Sequence, residues 1–359
     1  MRRWLTLLDG PQTLGRGPAF WAAFVLLILF AALLPAFVDP FAITNLTYFL
    51  VWVFISLGLS LIWGYAGILS FGQTAFFGLA GYTYGVISIN LGDAGLWTWF
   101  ALAVSLVLPA MLAVVIGYFM FYGGVRDVFV GIVTLSITLV FETFMAQTAG
   151  PEWTIGTARL NGFNGMANMP PLTLPWDESP LIFDGPALFW LVLGLAILVY
   201  LGLRIMVNSR FGNVLVAIRE NPDRAEMLGY NIRMYQLVVF VIGSVLAGMS
   251  GVLYTLWGSY ITPSSMGLTA AALPIVWVAA GGRKDLTATL FATLLLLWLS
   301  QQLAVKGSQY ALIWMGVILL VVVLFAPEGL FVTVWKRLRG RILSRQGTAT
   351  PKAASSSSA

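Results

Sequence analysis

RIMVNSRFGNVLVAIRENPDRAEMLGYNIRMY, Arg204 to Tyr235, is the only long polar passage that lies between strongly apolar runs on both sides and also carries a dense basic charge. Ser209 stands where it can cap a short helix. In that helix Phe211, Leu215 and Ile218 fall at i, i+4 and i+7, giving one apolar face beside Arg210 and Arg219. Such a piece is expected to lie along a membrane surface. A second start follows at once, with Asn221 as N-cap, Pro222 at the first helical position and Asp223 in the positive first turn. Ala225, Met227 and Leu228 carry this helix to a stop at Gly229. Two turns of isolated helix are not stable in water, so the segment implies packing against something else, most simply a partner protein on the cytoplasmic side. An ordinary amphipathic loop between two spans would show the same spacing.

Outward from this passage the composition is that of a membrane protein. The chain is 59% hydrophobic and 9% charged, where a soluble domain carries roughly a quarter of its residues as charges. The apolar runs are about 17 to 25 residues long, the length of helical spans and not of the alternating strands of a barrel. The expected fold is therefore an all-α integral membrane protein, a polytopic bundle of about ten transmembrane helices. With no cysteine and no histidine, disulfides, thiolate metal sites and the Ser-His-Asp arrangement are excluded, and the usual general base is missing. No catalytic or metal site is expected, nor a nucleic-acid partner.

Residues 1–19 read as a polar N-terminal segment and 20–326 as the membrane domain, with spans near 20–38, 46–63, 70–91, 97–122, 128–149, 187–207, 235–257, 267–281, 286–304 and 310–325. Ten crossings place both termini on one side. With that side cytoplasmic, seventeen basic residues lie inside: Arg2, Arg3, Arg16, Arg126, Arg204, Arg210, Arg219, Arg224, Arg233, Arg283, Lys284, Lys336, Arg337, Arg339, Arg341, Arg345 and Lys352. Only Arg159 and Lys306 lie outside, the asymmetry expected of short cytoplasmic loops. Loss of two adjacent spans would move no basic cluster, so eight crossings satisfy the count as well.

On this topology 204–234 is a cytoplasmic loop and 150–186 an extracytoplasmic one. The outer loop has turn signals at Asn161-Gly162 and Asn164-Gly165, the acids Glu152, Asp177, Glu178 and Asp184, and the aromatics Trp153, Phe163 and Trp176. It reads either as a mobile connector or as a packed surface for an external partner. Residues 327–347 are basic and suit anionic headgroups, and 348–359 form a low-complexity tail expected to be disordered.

Within the spans, Thr74, Gly78, Gly81 and Gly85 make one small-residue stripe and Gly243, Ala247 and Gly251 another, both expected to let helices approach closely. Gln73, Thr74 and Tyr82 beside the first stripe could line a polar route or bond neighbouring helices. Glu142 is the one carboxylate placed well inside a span, a candidate for the route or for a helix contact near the outer interface. Finally, WGYAGILSFGQTA from Trp63 and WGSYITPSSMGLTA from Trp257 echo each other on opposite sides of the membrane, suggesting an inverted repeat of five spans each.

These residues resemble a known family, the LivM-type membrane-spanning permeases of ABC importers for branched-chain amino acids. The similarity runs from about Leu46 to Leu330. It is most specific in FGNVLVAIRENPDRAEMLGYN, Phe211 to Asn231, and extends to Gly64–Tyr82, the Gly281-Gly282 turn and Ala326–Leu330. The pieces LIWGY, Leu61 to Tyr65, and WVAAGGR, Trp277 to Arg283, look like the urea branch of the same family, which leaves a small amide open beside a branched-chain amino acid. Gln73 stands where the family often has histidine, so no titrating role is assigned there.

The resemblance implies a bacterial inner-membrane protein working as a heterodimer with a second, related permease, two cytoplasmic ATPases and an extracytoplasmic binding protein. It makes Arg219, Glu220, Asn221, Pro222, Asp223, Arg224, Ala225, Met227, Leu228 and Gly229 the ATPase-coupling segment. Independently, no G-x-x-x-x-G-K-[ST] occurs in the sequence, so ATP is expected to be used by partner subunits and no cofactor to be bound here. A self-sufficient ion-coupled transporter would need a mid-membrane coupling carboxylate, for which Glu142 is the candidate.

Overall fold

The structure, a computed structural model, describes residues 7–92, 95–126, 128–175 and 180–307, with a few isolated positions beyond. Most of the tenth expected span, Trp176, Asp177, Glu178 and nearly all of 327–359 lie outside the described residues.

Eleven helices are named here in chain order: α1 Pro18–Leu33, α2 Pro40–Leu59, α3 Gln73–Leu91, α4 Trp97–Tyr122, α5 Val128–Gln147, α6 Gly185–Asn208, α7 Arg210–Glu220, α8 Pro222–Met227, α9 Ile232–Gly258, α10 Leu268–Gly281 and α11 Leu286–Gly307. Among the described residues, seven helices are long and apolar enough to cross a membrane. These are α1, α2 with its continuation to Tyr65, α4, α5, α6, α9 and α11. Two of the expected spans are different in kind. Helix α3 is rich in Gly, Thr and Tyr and almost wholly buried, and α10 is only 14 residues long. Helices enclosed by protein need neither the length nor the hydrocarbon coat of lipid-facing ones.

The core is the crossing of α2 and α9. A Cβ on Gly58 would lie 2.8 Å from the Gly243 carbonyl oxygen, and one on Gly243 3.0 Å from that of Gly58, so the two backbones touch. Lower on α9, Gly251 abuts the backbone of Phe77 on α3. The second small-residue stripe is thus a helix-packing face, as expected. The first is used in part differently: Gly81 packs against Thr255 of α9 and Ile261, while Gly78 and Gly85 are notches that receive Met266 and Met169, side chains from outside the long helices.

Both helices of the central pair lead into breaks. Helix α2 widens into a π-helix over Ser60–Tyr65, and residues 67–72 are non-helical. The expected span from Ser70 therefore starts as helix only at Gln73. The chain has dived back beside α5: Phe71 N donates to Thr134 Oγ1 at 3.1 Å, and Thr138 Oγ1 donates to the Phe71 carbonyl at 3.3 Å. Those threonines lie about 9 and 15 Å along α5 from Val128 at 1.5 Å per residue, so the first break reaches mid-membrane. Helix α9 ends at Gly258, and residues 259–267 form the second break, whose last residue, Gly267, packs on Glu142.

The expectation of an all-α chain needs one correction. The outer loop builds three two-stranded antiparallel ladders, Thr154–Ile155 with Ala158–Arg159, Met166–Ala167 with Tyr260–Ile261, and Leu172–Leu174 with Leu181–Phe183. Outside the helices, loop backbone that packs down must find partners, and here it pairs with itself and with the second break. Asn161 and Gly162 take positive φ of 64° and 54°, as the turn signal required. The loop is a packed surface and not a loose connector, with Leu172 and Met169 buried and Phe163 exposed.

Apart from Arg159 and Lys306, the described basic residues gather at one end of the bundle. Arg126 pairs with Asp223, Lys284 with Glu220, and Arg219 reaches Gly64, while Arg159 lies in the opposite, outer loop. Leu7–Gly17, read from the sequence only as a polar lead-in, is strapped across the basic end. Arg204, fully buried, donates to the carbonyls of Leu8 and Gly15 and to Tyr200 Oη, and sits over the rings of Phe20 and Trp21. Asp285 accepts from the backbone of Leu14 and caps α11 through Ala288 N. Burial pushes its carboxyl up, and the backbone donors and Arg204 pull it back.

Candidate functional site: the helical elbow at the basic end and its link to the first break

Helix α7 leaves α6 through Ser209 alone. That residue occupies the N-cap position, but its hydroxyl turns back to the Met206 carbonyl at 2.6 Å instead of capping α7. The expected cap is absent because a one-residue elbow keeps the last carbonyls of α6 within closer reach than the first amides of α7. The apolar face is as the spacing required: Leu215, Ile218 and Val214 are buried, and Phe211 stacks on Tyr235 with centroids 5.3 Å apart. Val214, Ile218, Ala225 and Ile232 form a small core of their own, which gives the two-turn helix the packing it could not do without.

Start and stop of α8 are both formed. Asn221 Oδ1 accepts from Arg224 N at 2.9 Å. At the other end Tyr230 N donates to the Ala225 carbonyl at 3.2 Å and Gly229 N to that of Glu226 at 2.9 Å, with Gly229 at φ 86°. Those two bonds are a Schellman stop, and a left-handed residue is what makes it possible. Capped at both ends and seated through Ala225, α8 is rigid, yet Met227 is 86% and Leu228 76% exposed. Two large apolar side chains held in the open on a fixed helix are the signature of a surface meant to be covered.

Of the segment's charged residues Arg219 faces inward, while Glu220, Asp223 and Arg224 are exposed. Arg219 is mostly buried; its Nη1 donates to the Gly64 carbonyl at the end of the π-helix, and its Nε and Nη2 bond Glu220 at 3.1 and 2.7 Å. Lys284 adds a second cation 3.7 Å from Glu220. The Arg219 bond holds the Glu220 carboxyl below the usual range. Gly67, in the first break, rests on the Arg219 side chain. Asp223 and Arg126, 4.0 Å apart, are both well exposed and contribute little to stability. Arg224 gives its amide to the cap. A cavity of about 110 Å³ lies between α8, the first break and the α4–α5 turn, lined among others by Gly67, Arg126, Arg219, Pro222 and Glu226.

The four pathway candidates are not brought together. Gln73, Thr74 and Tyr82 are buried within the chain, and Gln73 Oε1, Thr74 Oγ1 and Tyr82 Oη have no partner. Glu142 is half-buried at the outer level of α5, against the N-terminus of α10. Sequence reading missed the Arg219–Gly64 link. Both residues stand in stretches that carry the family resemblance, but 155 positions of chain separate them, and no local pattern reports such a contact.

A multi-pass bundle whose central helices break, and which offers a capped helical knob at its basic end, is a membrane permease in its construction. Comparison with known proteins agrees. The profile of the family described as the branched-chain amino acid transport system permease component matches residues 41–327, and the chain belongs to that family. It is a multi-pass inner-membrane protein. It is similar to the high-affinity branched-chain amino acid transport system permease protein LivM of Escherichia coli (strain K12), with 23% identity over 325 residues, 85% of this chain and 73% of that one. A probable LivM of Methanocaldococcus jannaschii is 24% identical over 330 residues, 79% of this chain and 91% of that one. A probable ABC transporter permease protein of E. coli, YphD, is 27% identical over 164 residues. No solved structure matches.

Proposed function

We propose that the chain is one of two related membrane subunits of an ABC importer that carries branched-chain or similar hydrophobic amino acids inward, driven by ATP that two cytoplasmic subunits hydrolyse. A separate extracytoplasmic binding protein delivers the solute. The basic end, and with it both termini, is cytoplasmic on this reading. The observation that carries it is the Met227–Leu228 knob: a rigid, capped, exposed apolar helix at the end rich in Arg and Lys, joined through Arg219 to the break that enters the membrane. A partner that grips the knob and moves it pulls on Gly64 and Gly67, and so on the segment wedged between Thr134 and Thr138.

The two breaks support a five-span inverted repeat. Each follows a member of the central crossing pair, each opens on Trp-Gly, and one enters from the basic end while the other enters from the opposite end. Short-chain amides such as urea remain the alternative cargo, carried by the same machine.

The test is reconstitution with the ATPases, the second permease and the binding protein, followed by uptake of labelled leucine or urea. Uptake must require ATP and all partners; uptake by this chain alone, abolished by Glu142→Gln, would instead establish an ion-coupled carrier. Leu228→Asp should abolish co-purification of the ATPases while leaving the membrane subunits assembled.

A further inference from the structure

The faces that the spanning helices turn outward are not alike. On α4 every exposed residue from Phe100 to Phe119 is apolar or Tyr, and its Thr98 and Ser105 are turned inward and buried. The exposed positions of α1 and α6 are likewise apolar. Helix α5 differs: Ser136, Val140, Thr143 and Gln147 fall at i, i+4, i+7 and i+11 on one line, and all four are exposed.

The stripe has neighbours that hydrocarbon does not tolerate. Below it, the non-helical backbone of the first break borders an open cleft of about 300 Å³ lined by Gly67, Leu69, Phe71 and the α5 residues Gly131, Ile132 and Leu135. Irregular backbone at that depth is stable only where protein covers it or water reaches it. Beside its outer half, Glu142 meets the start of α10, whose Thr269 is exposed. Helix α5 thus touches both breaks, the first through Thr134 and Thr138 and the second through Glu142.

We infer that the outward stripe of α5, from the cleft beside the first break up to Glu142, is this chain's wall of a water-filled passage for a small polar solute. The inference rests on the reading of the chain as a permease subunit and moves the passage off the buried Gln73, Thr74 and Tyr82. Ser136 and Thr143 offer hydroxyls and Glu142 a carboxyl group to a zwitterion, and the bare aliphatic positions Val140 and Ile132 offer contact to an apolar side chain.

Because the chain has no cysteine, single thiols report directly. Ser136→Cys and Thr143→Cys would be compared with Val114→Cys on α4 and Leu198→Cys on α6, in the complete transporter in liposomes, using a membrane-impermeant quaternary-ammonium methanethiosulfonate. The reacting species is the thiolate, which hydrocarbon suppresses, so the α5 thiols should react at least about tenfold faster than the controls. Saturating transported solute should slow them. Reaction of all four at equal rates overturns the inference, as does oxidative cross-linking of the α5 thiols to the second permease with no reagent access. Where labelling overturns the inference but the unlabelled variants still show ATP-driven uptake, the passage assignment alone falls. If no variant and no parent shows ATP-driven uptake, the permease reading falls, whatever the labelling.

Discussion

The two breaks follow matching helices and open on the same dipeptide, but they are held in opposite ways. The first is fixed by backbone: Gly64 lies so close to the strand of chain at Arg283 that a Cβ would fall 1.7 Å from its carbonyl oxygen, and Arg219 bonds the Gly64 carbonyl. Its neighbours are the α7–α8 elbow and the α10–α11 turn. The second meets the outer loop through backbone at its start, by one short ladder and the close approach of Gly165 to Ile261 and Thr262, but towards the helices it is seated by flexible side chains, with Met266 in the Gly78 notch and the Glu142 carboxyl on Gly267. A backbone-locked joint transmits displacement, whereas one seated by long side chains yields. The first break is therefore suited to carry force from the basic end and the second to adjust to what arrives from the other end.

Substitutions can break or sharpen this contrast. The largest effect is expected from Gly64→Ala. Overpacking typically costs about 1–3 kcal/mol, and a carbonyl that cannot move puts this site at or beyond the top of that range. The yield of folded protein by size-exclusion chromatography should collapse; normal yield would show that the first break is as compliant as the second. Next is Gly229→Val, which leaves open space around the new side chain but forces a β-branched residue to φ 86° at a cost of about 1–3 kcal/mol. Membrane insertion should be normal while ATP hydrolysis proceeds without uptake, and unchanged coupled uptake would count against a rigid knob. Arg219→Ala removes a charged hydrogen bond worth about 1.5–3 kcal/mol. It should leave ATPase co-purification intact and raise the ATP consumed per solute several-fold, whereas loss of co-purification would make Arg219 a docking residue instead. Smallest is Gly267→Ala at the second break, where only the tip of Glu142 must rotate. A shift in melting temperature of no more than a few degrees is expected, corresponding to less than about 1 kcal/mol.

Much of the elbow was legible because its signals are local. Asn221, Pro222 and Gly229 act on their own and adjacent peptide groups, so cap, start and stop were readable without any partner. Ser209 failed as a cap because two helices competed for one hydroxyl, and residue type does not tell which wins. Gln73 and Tyr82 looked like route residues because they are polar in an apolar span. That reasoning does not distinguish a side chain facing a passage from one packed inside the chain, and both are buried here. Arg204 counted only as one more cytoplasmic charge, while folding buries it under the strap of residues 7–17.

The sequence by itself determined that the chain is helical and membrane-embedded, which end carries the basic charge, and where the two-turn helix begins and ends. These follow from hydropathy, charge counts and hydrogen bonds spanning a few residues, all of which are properties of contiguous chain. Only the tertiary structure decided that two spans are broken, that Arg219 bonds a carbonyl far away in sequence, and that α5 turns hydroxyls outward beside both breaks. Those depend on which backbones touch, and close approach between distant segments is set by how the whole set of helices fills space.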